Sequence, residues 1–197
     1  MPGAAPPAPT AAERSRARTI LARLKKRYPQ AVTALRYADP WQLLVATVLS
    51  AQTTDANVNR VTPILFSRWA SPEDLAAANP EEVEAVVYPT GYYHQKTRAI
   101  VALSADVAER FGGEVPADLE AMTTLHGVGR KTASVVLAEA FNVPAIAVDT
   151  HVGRLARRLG LSASSDPARV EADLRALYPK KEWAGISMRL IDFGREV

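Results

Sequence analysis

Apolar and polar positions recur with helical period along almost the whole chain. Ile20, Leu21, Leu24 and Tyr28 fall at helical spacing behind a basic face. Asp39-Pro40 reads as N-cap and first helical residue ahead of the apolar run WQLLVATVLSAQ. Ser71-Pro72-Glu73-Asp74 and Asn79-Pro80-Glu81-Glu82 repeat that start signal, with acids at the positive end of each helix dipole. Further helices are predicted over 97–111, where Gly112-Gly113 ends the pattern, and over 116–124, 130–141, 150–159, 167–178 and 183–196. Pro63 interrupts a helical pattern that otherwise runs from Asp55 to Trp69. Proline costs about 3 kcal/mol in a helix interior, so a kink or a new helix start is expected there. Sustained period-two alternation is absent, the nearest case being the four residues 145–148. The predicted class is all-α, with short connections and no internal repeat.

Composition narrows this picture. A chain of 197 residues is long enough for one or two domains with a substantial core. No apolar run reaches the roughly 18 residues of a membrane span. Residues 1–12, MPGAAPPAPTAA, are expected to form a disordered tail. They lack the basic start and apolar core of a signal peptide, so a cytoplasmic protein is expected. The absence of cysteine excludes disulfides, thiolate metal sites and a cysteine nucleophile, and three histidines argue against a multi-histidine metal site. The net charge of +3 says little, but its distribution is uneven. Residues 13–27 hold seven basic side chains and one acid, and residues 130–158 hold five against two. Acids gather instead at Glu73, Asp74, Glu81, Glu82 and Glu84. Solvated helix faces would give such a pattern, and so would a surface for a polyanion.

The stretch Leu125-His126-Gly127-Val128-Gly129-Arg130-Lys131-Thr132-Ala133 carries the most specific signal. One short helix runs into Gly-Val-Gly and a second leaves it. The glycines allow backbone angles that expose successive N–H groups at the second helix's start, a site for a phosphate oxygen. Such a contact positions a protein on DNA without reading sequence. On the helix that follows, Ala133, Val136, Leu137 and Ala140 form an apolar stripe, and at 100° per residue Lys131 points about 170° away from its centre. Lys131 therefore faces solvent or a cleft. Asp149 lies 18 residues on, in Ala147-Val148-Asp149-Thr150-His151-Val152, just before another helix. It reads as an N-cap, which would hold its carboxylate rigid and ionised.

LHGVGRKTA followed at this distance by VDTHV resembles the helix–hairpin–helix–GPD superfamily of base-excision DNA glycosylases, most closely the endonuclease III family. The likeness extends upstream to Leu49-Ser50-Ala51-Gln52-Thr53-Thr54-Asp55 and Thr90-Gly91-Tyr92-Tyr93-His94-Gln95-Lys96, and covers roughly residues 15–197. It implies a two-domain fold: a six-helix domain over 33–143, with the helix–hairpin–helix at 118–141, and a discontinuous helical domain from 13–32 and 144–197. It implies a DNA cleft between them, with Lys131 on one wall and Asp149 on the other.

The implied activity is that of a bifunctional glycosylase with apurinic/apyrimidinic (AP) lyase activity, acting on oxidised pyrimidines in double-stranded DNA. Lys131 would attack the sugar C1′, expel the base and form a Schiff base, from which β-elimination cleaves the strand 3′ to the lesion. A free lysine has a pKa of about 10.4, so such a site must lower it or accept its proton, and Arg130 and the helix start push that way. Asp149 favours the charged lysine, which places its role at the sugar, stabilising positive charge at C1′ or moving protons. The base must first leave the stack. Gln52 suits the gap left behind, although it also reads as a polar residue at a helix C-terminus. Tyr92 stands where relatives often carry a leucine wedge. The DNA-binding set implied is Gln52, Thr53, Tyr92, His94, Leu125, Gly127, Val128, Gly129, Arg130, Thr132 and His151, with the individual roles of His94 and His151 unassigned.

Two other readings compete. One is an adenine- or thymine-mismatch glycosylase of the same superfamily, members of which usually lack the lysine. The other is a non-catalytic hairpin module, which would not need Lys131 and Asp149 together. No metal or organic cofactor is required by the reaction. Family members usually bind a [4Fe-4S] cluster through four cysteines that would follow Val197. The chain ends within a predicted helix, with no capping glycine or polar tail, so the natural protein is expected to continue past Val197. Loss of the cluster in this lineage is the alternative. A soluble monomer of bacterial type, associated with the nucleoid, is expected.

Overall fold

In the computed structural model, which describes residues 8–197, the chain is helical with no strand among the described residues. The helices are α1 (Ala11–Arg27), α2 (Pro40–Leu49), α3 (Asp55–Arg68), α4 (Pro72–Ala76), α5 (Pro80–Val87), α6 (Tyr93–Phe111), α7 (Leu119–Thr123), α8 (Arg130–Ala140), α9 (Thr150–Arg158), α10 (Pro167–Leu177) and α11 (Trp183–Glu196). Short 3₁₀ turns lie at Tyr88–Thr90 and Lys180–Glu182. The chain divides into two compact units, one of Ala34–Phe141 and one joining the segment up to Thr33 with Asn142–Val197.

The predicted caps explain most of the helix starts. Asp39, Ser71 and Asn79 each accept a hydrogen bond from a first-turn amide, with proline at the first helical position. Asp118, rather than Pro116, starts α7 by the same means. In α6 the helix begins four residues earlier than predicted, because the left-handed Tyr92 turns the chain into it.

The unit of Ala34–Phe141 is built around α2. Its Leu43, Leu44, Val45, Ala46 and Leu49 are fully buried, as an apolar helix without a polar face must be. It packs on α3, α6 and α8, while α4 and α5 cover α6. Truncating Leu44 to alanine should cost about 2–5 kcal/mol. The Trp41 indole donates to Ser104 Oγ at 3.0 Å, so its one polar atom is satisfied. The unit holds seven α-helices, two of which, α4 and α7, have only five residues each. Pro63 starts no new helix. α3 runs through it, and Val58, Val61 and Leu65 on one face are buried well enough to offset the lost backbone bond.

The other unit packs α1 on α10 and α11, and α9 on α11. Its core includes Ala17, Leu24, Val152, Leu155, Leu174, Ile186 and Leu190. Arg189 donates to the carbonyls of Tyr28 and Pro29, and Arg27 pairs with Glu196, tying the end of α1 to α11. Residues 145–148 form no strand. The Ser187 hydroxyl instead satisfies Ala147, accepting from its amide and donating to its carbonyl. The tail expected at 1–12 does not extend through Ala12. Thr10 caps α1 in a reciprocal capping box with Glu13, so Ala11 and Ala12 are helical. Residues 1–7 of that tail lie outside the described residues.

Candidate active site and nucleic-acid interface

In the unit of Ala34–Phe141, Asp118 caps α7, the chain turns through 124–129, and α8 begins at Arg130. Gly127 has φ +71, a conformation that favours glycine, and a Cβ there would press on the Ala99 Cβ at 3.1 Å. Gly129 differs: its φ is an ordinary −86° and a Cβ would meet nothing within 4 Å. It is the N-cap of α8 and offers no side chain to the first-turn amides. Helix geometry leaves those amides without partners inside the helix, and the dipole makes the spot attractive to an anion.

Lys131 occupies that first turn and is exposed, as the helical phase predicts. The buried face of α8 is Ala133–Leu137, with Thr132 half-buried. Two of the residues expected at the DNA contact keep their side chains inside. The Leu125 and Val128 side chains are 3% and 5% exposed, because they form the hydrophobic underside of the hairpin. The Val128 amide closes the turn onto the Leu125 carbonyl at 3.2 Å, so it is not a free donor either.

The hairpin has an anchor that the motif does not reveal. Asp106 on α6 accepts from the His126 amide at 2.9 Å, lies 2.7 Å from the His126 ring Nδ1, and pairs with Arg110. Partial burial pushes the Asp106 carboxyl up, but the His126 amide and ring and the Arg110 guanidinium outweigh it and hold its pKa below the ordinary value. Twenty residues separate the partners, so only the fold brings them together.

Gln52 and Tyr92 lie in the same unit, both exposed and both left-handed, with φ of 53° and 49°. Gln52 is not at the end of α2 but in the turn beyond it. Such angles cost a side-chain-bearing residue about 1–2 kcal/mol and are held by their surroundings. Asn57 donates to Thr53 Oγ1 and to the Pro89 carbonyl, and the buried Lys96 donates to the Thr90 carbonyl at 2.7 Å. Burial lowers the Lys96 pKa. His94 is exposed, with Nδ1 2.7 Å from Glu84 Oε1 and its ring against Tyr93.

Asp149 and His151 belong to the other unit. Asp149 is half-buried and caps α9, accepting from the Val152 amide at 2.8 Å. His151 packs its Cβ against Gly194 and donates from Nδ1 to the Gly194 carbonyl at 2.8 Å, which Arg154 also reaches. One ring nitrogen is therefore spent on holding α9 to α11.

Residues 45–180 match the family model of the HhH-GPD superfamily base excision DNA repair proteins. Endonuclease III of Synechocystis sp. is 47% identical over 188 residues, covering 95% of this chain and 86% of that protein. Endonuclease III of Bacillus subtilis is 47% identical over 169 residues, with 85% and 77% covered. The chain belongs to the endonuclease III family. Among solved structures, a trapped endonuclease III–DNA covalent intermediate superposes with a TM-score of 0.88 at 43% identity, covering 93% of this chain and 86% of that one. A non-covalent endonuclease III–DNA complex gives 0.88 at 44%, with 92% and 86% covered. A thermostable thymine-DNA glycosylase shares the fold at 21% identity and a TM-score of 0.80, with 93% and 88% covered. The activity of this family member is that of a DNA glycosylase with AP lyase activity in base excision repair. The family's iron–sulfur cluster does not fit the residues present. The chain has no cysteine, and among the described residues no group of three or more His, Asp or Glu could hold a metal. No described helix is long and apolar enough to cross a membrane.

Proposed function

We propose that this chain excises oxidised pyrimidines from double-stranded DNA, with Lys131 as the Schiff-base nucleophile. The observation that carries this reading is an exposed lysine in the first turn of a helix whose start is an uncapped glycine. A phosphate at those amides fixes the DNA backbone beside the amine. The Lys131 amine attacks C1′, the C1′–N bond breaks and the base leaves with a proton. The C1′–O4′ bond then opens, O4′ taking a proton as the lysine nitrogen forms an iminium with C1′; this loses a C2′ proton, the 3′-phosphate departs, and water releases the lysine. Asp149 supplies a fixed carboxylate that stabilises positive charge as it develops at C1′. Capping uses one carboxylate oxygen, and the other serves the sugar. Gln52 and Tyr92 hold the opened duplex, and Gly129, Arg130 and Thr132 line the phosphate contact. The basic first helix and Arg154–Arg158 add affinity that does not depend on sequence.

The test is borohydride trapping on a duplex carrying one oxidised pyrimidine, next to an undamaged duplex and one with an adenine mismatch. Trapping of the oxidised duplex alone supports the reading. Release of adenine without trapping would mark a mismatch enzyme, and binding without base release would mark a non-catalytic module. Log affinity should fall by about 0.9 per phosphate neutralised for each unit of log salt.

A further inference from the structure

Gln52 and Tyr92 are separated by forty positions in sequence. Each is exposed and held at a left-handed backbone angle, one in the turn after α2 and the other at the start of α6. One side chain touches both segments. The Asn57 amide nitrogen carries two hydrogens, and it lies 3.0 Å from Thr53 Oγ1 and 2.7 Å from the Pro89 carbonyl. A carbonyl can only accept, so the Pro89 contact fixes which end of the amide is the nitrogen. Asn57 sits in the first turn of α3, where its backbone amide bonds to Thr54 and the following face is buried through Val58, Val61 and Leu65. Its own position is therefore set by the core.

We propose that Asn57 is a positioning residue for base extrusion: it ties the Gln52–Thr53 turn to the segment before Tyr92, so that both side chains enter the duplex from one rigid frame. Lys96 completes the frame from the other side. Asn57 takes the Pro89 carbonyl and Lys96 the Thr90 carbonyl, and the chain then reverses at Gly91 and Tyr92. Asn57 touches neither substrate nor reacting atoms. Its effect is on the step that opens the duplex, and it rests on the reading of Gln52 and Tyr92 as the residues that hold the opened strand.

The experiment compares wild type, Asn57→Ala and Asn57→Asp in the full chain. Aspartate keeps the shape but cannot donate at neutral pH. Two substrates are used: a duplex with a base-paired oxidised pyrimidine, and a single-stranded oligonucleotide with an abasic site, which needs no extrusion. Single-turnover excision from the duplex should fall about tenfold or more in both variants, as expected for misplaced contacts. Trapping on the single strand should stay within about twofold of wild type. Wild-type duplex rates in Asn57→Asp would overturn the proposal, since packing alone would then suffice. Equal losses on both substrates would also overturn it and make Asn57 a folding residue. If wild type traps on neither substrate, the functional reading itself fails, and the proposal with it.

Discussion

The starts of α8 and α9 place their key residues in opposite circumstances. At α9 the helix is closed by its own side chain: Asp149 accepts from the Val152 amide, and the carboxylate is immobilised in doing so. At α8 a glycine stands in the capping position and the first-turn amides have no side-chain cap. A side-chain cap is worth a few tenths of a kcal/mol over glycine, roughly the stability that the α8 start forgoes and α9 collects. An open start binds an anion, whereas a closed start fixes one. The difference separates a group whose surroundings must admit DNA from a group whose charge must stay in place.

The largest expected effect is at Lys131. Lys131→Ala should abolish borohydride trapping and lower strand cleavage on the order of a thousandfold or more. Stability should change by less than about 0.5 kcal/mol, because the side chain is exposed. Wild-type trapping yield in this variant would remove Lys131 from the chemistry.

Asp149 comes next, and two substitutions divide its roles. Asp149→Asn retains an acceptor for the Val152 amide, so folding and DNA affinity should hold while single-turnover excision drops about a hundredfold. Asp149→Ala should lose the same activity and a further 1 kcal/mol or so of stability. Normal excision by Asp149→Asn would reduce the residue to a cap.

Gly129→Ser tests the contrast from the other side by giving α8 the cap it lacks. The backbone angle is ordinary and a Cβ meets nothing, so the serine should be accommodated. Melting should rise by the equivalent of a few tenths of a kcal/mol, and DNA affinity should fall several-fold as the hydroxyl competes for the amides. Unchanged affinity, measured by titration at fixed salt, would show that the open start is not where phosphate binds.

The two starts were not equally legible in sequence. The Asp149 cap, the outward face of Lys131 and the proline-headed helices were readable because each rests on local rules of spacing and hydrogen bonding. The burial of Leu125 and Val128 was harder, since the motif marks the hairpin without saying which atoms face inward. Asn57 and Asp106 were invisible, because their partners Pro89 and His126 are far away in sequence and nothing local announces the bond. Lys96 closes the family-like segment Thr90–Lys96, yet its burial against Thr90 depends on the turn at Gly91, which only the fold reveals.

The smallest effect expected concerns the Asp106–His126 anchor beneath the hairpin. The Asp106 pKa is lowered in the folded protein from an ordinary value of 3.8, the hydrogen bonds from His126 and Arg110 outweighing partial burial. A carboxyl with a lowered folded pKa stabilises the fold fully above its unfolded pKa, and loses that contribution as pH falls through the folded value. The anchor should therefore be complete at neutral pH and fade below about pH 4. Asp106→Asn keeps an acceptor but no charge, and should cost about 1–2 kcal/mol at pH 7. Denaturant unfolding at pH 7 and pH 3 gives the comparison: the gap between wild type and variant should narrow at the lower pH. DNA affinity of the variant should fall only a few-fold, since α8 itself remains packed on α2 and α7. A gap of the same size at both pH values would mean that shape rather than charge holds the hairpin, and the α8 start would then owe its position to packing alone.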